Sequence, residues 1–348
     1  MSMTEMILQA KTQKATEALF VVGSLPKARI LGEWTNLREK PVLISDWNVL
    51  TQTLLNPQQS AQLETLGVAN GESLVGQQRV GFSFFQTDNT LRLLLNFAGD
   101  LNSSSELVAP FAIQESALNQ NGLHLFLSNS PTVSTSTLSS VIAKINEEKA
   151  KVILVLSAGP IPQLKEKKSL IIYQQVRSHK DLLNEELYKS ADVVVINGIT
   201  NDHVLLTALQ LAESGKSVIL SVQSFSIMSY LRRAFSVLNE KYKAQGAPRL
   251  ADCLQSIVGQ SCGLTAQQEM FSAFEFMLLK PHIKQYLANE DMKSIEALLR
   301  GSAETSGVQT LNQSLLQLLV RRKIDVKTAF ETSREPELLD QQLKKLGV

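Results

Sequence analysis

The sequence predicts a two-part α/β protein: a small α+β unit, then a larger unit built on a parallel sheet, with helices at the C-terminus. Three observations carry that reading. "RVGFSFFQTDNTLRLLLNF", residues 79–97, alternates about a turn at Thr87-Asp88-Asn89 as an antiparallel hairpin does. Beyond Gly122, short fully apolar runs alternate with longer amphipathic ones, the pattern of strands buried on both faces. Between the two lies "AGDLNSSSELVAP", residues 98–110, polar, serine-rich and bounded by Gly and Pro. We place the domain boundary there, with residues 1–99 as the N-terminal domain, 100–110 as a linker and 111–348 as the C-terminal domain. The length of 348 residues agrees, because single cores seldom exceed about 250–300 residues.

Taken in order, the first twenty residues are interrupted by Glu5, Lys11, Lys14 and Glu17 and read as a surface helix rather than a leader. "GSLPKARILGEW" carries Pro and Gly punctuation, and "SDWNVLTQTLL" has helical periodicity behind a Ser/Asp cap. Phe82, Phe84 and Phe85 alternate within the hairpin and read as core. Strands are expected at 123–127, 152–156, 170–176, 192–196 and 217–222. After Leu231 the pattern reads as helical almost throughout, including residues 250–260 and an amphipathic helix at 312–323 whose Leu315, Leu316, Leu319 and Val320 form the packing side.

Composition excludes several classes of function. Lys plus Arg (34) nearly cancels Asp plus Glu (33), so no bulk field draws the chain to nucleic acid. Cys253 and Cys262 are too few for a disulfide framework and read as idle thiols, and the four histidines lack metal-ligand spacing. Apolar runs such as "VILVL" are far below the roughly 20 residues that cross a bilayer. A cytoplasmic protein without membrane insertion is expected. "LKEKKS" reads as a solvated loop.

The stretch "GLHLFLSNSPTVSTSTLSSVIAKIN", residues 122–146, has the strand, tight loop and helix of a phosphate-binding loop. It lacks the glycines for close backbone approach and the lysine of G-x-x-x-x-G-K-[ST]. On its residues alone it is either an ordinary strand-to-helix connection or a nucleotide site whose chemistry has gone.

Four segments in register bear on that choice. "GLHLFLSNSPTVSTSTLSS", "ADVVVINGITNDHVLLTALQLAESGKSVILSVQSFS", "LADCLQSIVGQ" and "SGVQTLNQSLLQLLVRRKI" resemble, in order and spacing, the PilT family of type IV pilus retraction ATPases within the secretion ATPase superfamily. The resemblance covers nearly the whole chain. It implies a PAS-like N-terminal domain and a RecA-like ATPase-fold domain, in proteins that assemble as hexameric rings and bind ATP at the interdomain cleft.

Position by position, the resemblance implies lost chemistry. Ser128 and Val133 take the glycine positions of the Walker A loop, Ser134 takes the lysine position, and Thr135 alone keeps the magnesium-binding hydroxyl. Ser157 and Ala158 replace an acidic pair, and Gly198 replaces the Walker B glutamate. Lys216 and Gln223 stand at the two positions of the histidine box. Arg79 is retained, whereas Gly81, Asn89 and Asn96 take other arginine positions. Asp202 reads as a helix-start residue. The implied protein is a degenerate, catalytically inactive pseudo-ATPase without cofactor or metal, a regulatory or protein-binding module of type IV pilus and surface motility. Its expected partners belong to the motility machinery, an active retraction ATPase among them. Alone it is expected to be a monomer or weak oligomer, recruited to the inner face of the membrane at a pilus or cell pole. Two alternatives stay open: a residual ATP-binding retraction ATPase subunit using Lys216 or Thr135, and a binder of another small ligand in the interdomain cleft.

Overall fold

In the computed structural model the chain divides into two compact units, residues 1–100 with 159–162, and residues 101–158 with 163–348. The structure describes residues 2–13, 15–30, 33–76, 78–87, 89–97, 108–129, 131–159, 161, 163–176, 179–183, 185–199, 201–267, 269–301 and 307–346. Of the expected linker, residues 100–110, residues 100–107 lie outside the described residues.

The first unit opens with α1 (Met3–Thr12), closed by a capping box in which the Ser2 hydroxyl accepts from Glu5 N–H and the Glu5 carboxylate accepts from Ser2 N–H. The expected surface helix over the first twenty residues is corrected twice. Met3, Met6, Ile7 and Ala10 recur at helical spacing and are buried, so α1 is a core helix. The alternating "ATEALFV" then forms β1 (Ala15–Val21), a central strand.

The chain continues through β2 (Lys27–Ile30), β3 (Glu33–Asn36), α2 (Ile44–Leu54), α3 (Pro57–Leu66), β4 (Val68–Val75), β5 (Gln78–Thr87) and β6 (Thr90–Phe97). These make a six-stranded antiparallel sheet in the order β3-β2-β1-β6-β5-β4. Thr87 pairs with Thr90, which closes the hairpin of β5 and β6. Phe82 and Phe84 face the core edge-on at 5.6 Å, and Phe84 meets Trp47 of α2 at 5.2 Å. Phe85 points to the other face, where the Arg92 guanidinium lies 4.4 Å from its ring centre.

The second unit runs α4 (Phe111–Asn119), β7 (Gly122–Ser128), α5 (Pro131–Glu148), β8 (Val152–Ser157), β9 (Leu170–Gln175), β10 (Val193–Asn197), α6 (Val204–Glu213), β11 (Ser217–Gln223), α7 (Ile227–Tyr242) and α8 (Gly246–Cys253). It ends with β12 (Leu254–Leu264), β13 (Met270–Leu278), α9 (Pro281–Ala288), α10 (Met292–Leu299), β14 (Val308–Gln309), α11 (Leu311–Val320), α12 (Val326–Thr332) and α13 (Pro336–Leu346). The eight strands order as β14-β13-β12-β7-β11-β10-β8-β9. From β12 to β9 they are parallel, and every residue of β7 and β10 is buried.

The helical reading of residues 250–260 is also corrected: the helix stops at Cys253, and the 11 residues of β12 follow, paired with β7 and β13. "QSIVGQ" is uncharged and buried on both faces, so it carries no helical stripe. Gly259 is required there, because a Cβ would sit 2.7 Å from the Glu275 carboxylate on β13. Leu315 of α11 packs with Phe271, Ala329 and Leu339 in a separate small core. Val320, expected on that side, is 73% exposed, because α11 ends there.

Candidate functional site

The parallel register brings the C-terminal ends of the central strands to one edge. Ser128 pairs with Gln223 and Gln260, and Asn197 with Ser157 and Ser221. That edge is where ligands of open α/β sheets bind. In a strand–GxxxxGK[ST]–helix arrangement, the residues between the glycines stay out of the helix and turn their N–H groups towards phosphate. Here α5 already begins at Pro131, with only two residues between it and the end of β7. Proline suits a first helical turn because its φ is preset and its missing N–H would have no partner there. Residues 131–134 are therefore helix where a phosphate loop is open.

The side chains beneath that turn are buried and satisfy one another. The hydroxyls of Ser134 and Ser221 lie 2.6 Å apart. Asn197 donates from Nδ2 to Ser157 Oγ at 3.2 Å and to Thr135 Oγ1 at 3.4 Å. Thr137 donates to Gln260 Oε1 at 2.9 Å, and Gln260 Nε2 donates to Ser272 Oγ at 2.9 Å. The set contains no charged side chain. It offers a triphosphate no ammonium and a divalent cation no carboxylate. Among the described residues, no group of three or more His, Cys, Asp or Glu converges to hold a metal ion.

The structure therefore brings together Ser128, Ser134, Thr135, Ser157 and, at the exposed rim, Ala158, Gly198 and Gln223. Ala158 N–H donates to Asn197 O at 3.0 Å. Gly198 has φ +75°, a conformation that a side chain strains. The side chain of Val133 lies outside the described residues. Lys216 is not brought to this edge. It precedes β11, and Ser217 pairs with Gly122 where Gln223 pairs with Ser128. It thus sits roughly 20 Å away, at the opposite end of the sheet, where its ammonium donates to Ala191 O at 2.7 Å. Arg79 is on β5 of the first unit, opposite Leu74, and its side chain lies outside the described residues. Gly81 and Asn96 are direct cross-strand partners in that unit. Asp202 precedes α6 and pairs with Arg233 of α7 at 3.1 Å rather than capping the helix.

Sequence reasoning missed Asn197, Ser221 and Gln260. Asn197 is the polar end of an otherwise apolar strand, Ser221 and Gln260 lie on strands with further polar residues, and the shared register puts all three towards the same edge. That pattern was the available signal. Cys253 and Cys262 are free, and burial pushes the Cys262 thiol up to about 11, well away from reactive thiolate.

No family model matches the chain. It is 26% identical over 226 residues to a Neisseria gonorrhoeae twitching motility protein, a match that covers 63% of this chain and 60% of that relative. It is 21% identical over 345 residues to the type IV pilus retraction ATPase PilT of Pseudomonas aeruginosa, covering 97% of this chain and 99% of PilT. PilU, a type IV pilus ATPase of the same organism, is 22% identical over 349 residues, covering 94% of this chain and 87% of PilU. The crystal structure of the pilus retraction motor PilT with bound ADP superposes with a TM-score of 0.78 at 21% identity, over 98% of this chain and 99% of that one. The ATPase DotB of Yersinia pseudotuberculosis gives 0.75 at 16% identity, over 96% and 93%. The chain is thus related in sequence to the pilus retraction ATPases and shares the mixed α/β fold of PilT and DotB.

Proposed function

We propose that this chain is a catalytically inactive relative of the pilus retraction ATPases that works by binding other proteins of a type IV pilus or twitching-motility machinery. The observation that carries the reading is Ser134, whose hydroxyl is bonded to Ser221 beneath a helix that already starts at Pro131. A phosphate loop works through a backbone N–H cradle, a lysine ammonium and a metal-bound hydroxyl acting together. The residues here do not fit a nucleoside triphosphate with its magnesium, and removing such charge stabilisation typically lowers rates by orders of magnitude. The hydrophobic cores are retained because they depend on pattern and volume, whereas turnover depends on a few polar groups.

The direct test is titration of the purified protein with ATP and magnesium by calorimetry, beside a phosphate-release assay. No heat of binding and no turnover above background are expected. Binding at micromolar ATP, or turnover abolished by Thr135→Ala, overturns the catalytic half. For the motility half, gene deletion is expected to alter piliation or twitching, with a pilus-machinery component co-purifying. Unchanged motility and no such component would overturn it.

A further inference from the structure

β9 is the outermost strand of its sheet, with β8 as its neighbour. Leu170 and Val176 donate their N–H groups to Lys151 O at 3.0 Å and Ser157 O at 2.9 Å. By alternation, the N–H and C=O groups of Ile171, Tyr173 and Gln175 point away from β8. The Glu166 carboxylate meets Ile171 N–H at 3.2 Å, which blunts the start of the edge. Among the described residues, no acceptor meets the outward N–H of Tyr173 or Gln175. Leu170 and Ile172, side by side on one face of this strand, are 50% and 39% exposed.

The loop leading into β9 is held rigidly. Asn146 of α5, itself buried, donates to Lys165 O at 2.8 Å and accepts from the N–H groups of Lys167 at 2.9 Å and Ser169 at 3.2 Å. Lys168 N–H donates to Asn146 O at 2.9 Å. Lys165, Lys167 and Lys168 of this loop are exposed, as is Lys151, whose N–H donates to Ser169 Oγ; the Lys168 ammonium lies 3.5 Å from Glu148 O. The nearby acids are committed: Glu147 to Lys167, Glu148 to Lys144, and Glu166 to the Ile171 amide. The ammonium groups of Lys151 and Lys165 have no acidic partner among the described residues.

We infer that the outer edge of β9 is a docking site for an extended acidic segment of another protein, which adds to the sheet as a further strand. Its backbone pairs with Tyr173 and Gln175, alternate apolar side chains cover Leu170 and Ile172, and its carboxylates meet Lys151, Lys165 and Lys168. A basic strand lacks the charge match, and an anionic lipid surface lacks the backbone pairing. The site stands on the sheet edge alone, so the ATP measurements do not decide it.

The probe is a labelled peptide of about eight residues alternating valine with Asp or Glu, the minimum that spans a strand of this kind. A version with Lys for the acids and vesicles of phosphatidylglycerol are measured in parallel. The acidic peptide is expected to bind by fluorescence anisotropy and to protect the Tyr173 and Gln175 amides from hydrogen exchange. Its affinity should fall about tenfold or more in K165E/K168E, the scale of two lost interfacial charge contacts, and again in Ile172→Asp. All three substitutions fall on incompletely buried side chains, and unchanged melting curves would show that the fold is kept. Absence of binding at millimolar acidic peptide, equal binding of the lysine peptide, indifference to K165E/K168E, or binding of vesicles in place of peptide would overturn the proposal.

Discussion

The hydroxyls of Ser134 and Ser221, one on α5 and the other on β11, sit 2.6 Å apart and satisfy each other in a buried position. A lysine at 134 would have to bring an ammonium into this neutral layer and break that bond. Ser134→Lys is therefore expected to leave phosphate release at background and to lower stability by about 1–3 kcal/mol, the range for a buried polar group left without its partner. Chemical denaturation and a phosphate-release assay read the two effects. Turnover gained from this single change would refute the account of the site.

Placing an acid at 198 meets a backbone obstacle. Gly198 follows β10 with φ +75°, and non-glycine residues pay about 1–2 kcal/mol to hold a left-handed conformation. Gly198→Ala and Gly198→Glu should lose similar stability, about 1 kcal/mol each, since the strain comes from Cβ rather than from charge. A large loss confined to the glutamate variant would place the cause in electrostatics instead.

These two sites show what the sequence could and could not reveal. The hairpin about Thr87 and the buried strands β7, β8, β10 and β11 are legible because their periodicity is local. β12 is not, because its partners β7 and β13 decide its conformation and its short apolar run is ambiguous between helix and strand. Likewise, the sequence names Ser128, Ser134 and Thr135 as residues of interest, but not the side chains that they meet. Asn197 reaches Thr135 across 62 positions of chain, and Ser221 reaches Ser134 across 87. Lys216, a candidate substitute cation in the sequence, lies at the far end of the sheet by register.

His124, fully buried on β7, gives a pH signature. Its Nε2–H donates to Gln120 O at 3.1 Å, which leaves Nδ1 to accept from the Ser256 hydroxyl at 2.8 Å. Burial pushes its pKa down from the ordinary 6.5 to about 4. The unfolded chain then binds the extra proton more readily, so this contribution to stability is complete above pH 6.5 and is lost progressively as pH falls to about 4. Denaturation between pH 7 and pH 4 should show a decline of order 3 kcal/mol attributable to this residue. Other groups titrate in the same range, so the relevant comparison is with His124→Gln, whose profile should be flatter. Parallel profiles would remove His124 as the cause.

Arg334, just ahead of α13, binds Glu275 of β13 at 2.6 Å; their side chains are 22% and 6% exposed. The same carboxylate oxygen accepts the N–H of Ile227 at the start of α7 at 3.2 Å. Arg334 also donates to Ser261 of β12 at 3.0 Å and lies 5.2 Å from the ring centre of exposed Phe225. One ion pair thus ties the C-terminal helices to two strands and to the helix that follows β11. Removing only the cation strands a buried carboxylate, and losses of about 3–5 kcal/mol are typical of that change. Arg334→Ala is expected to fall in that range and to speed hydrogen exchange in α13. Glu275→Gln should cost less, because an amide oxygen can still accept from Ile227 and Arg334. The double variant should be more stable than the sum of the single losses implies, since the uncompensated charge is gone. Simple additivity, with exchange in α13 unchanged, would mean that the contact does not hold the C-terminal helices in place.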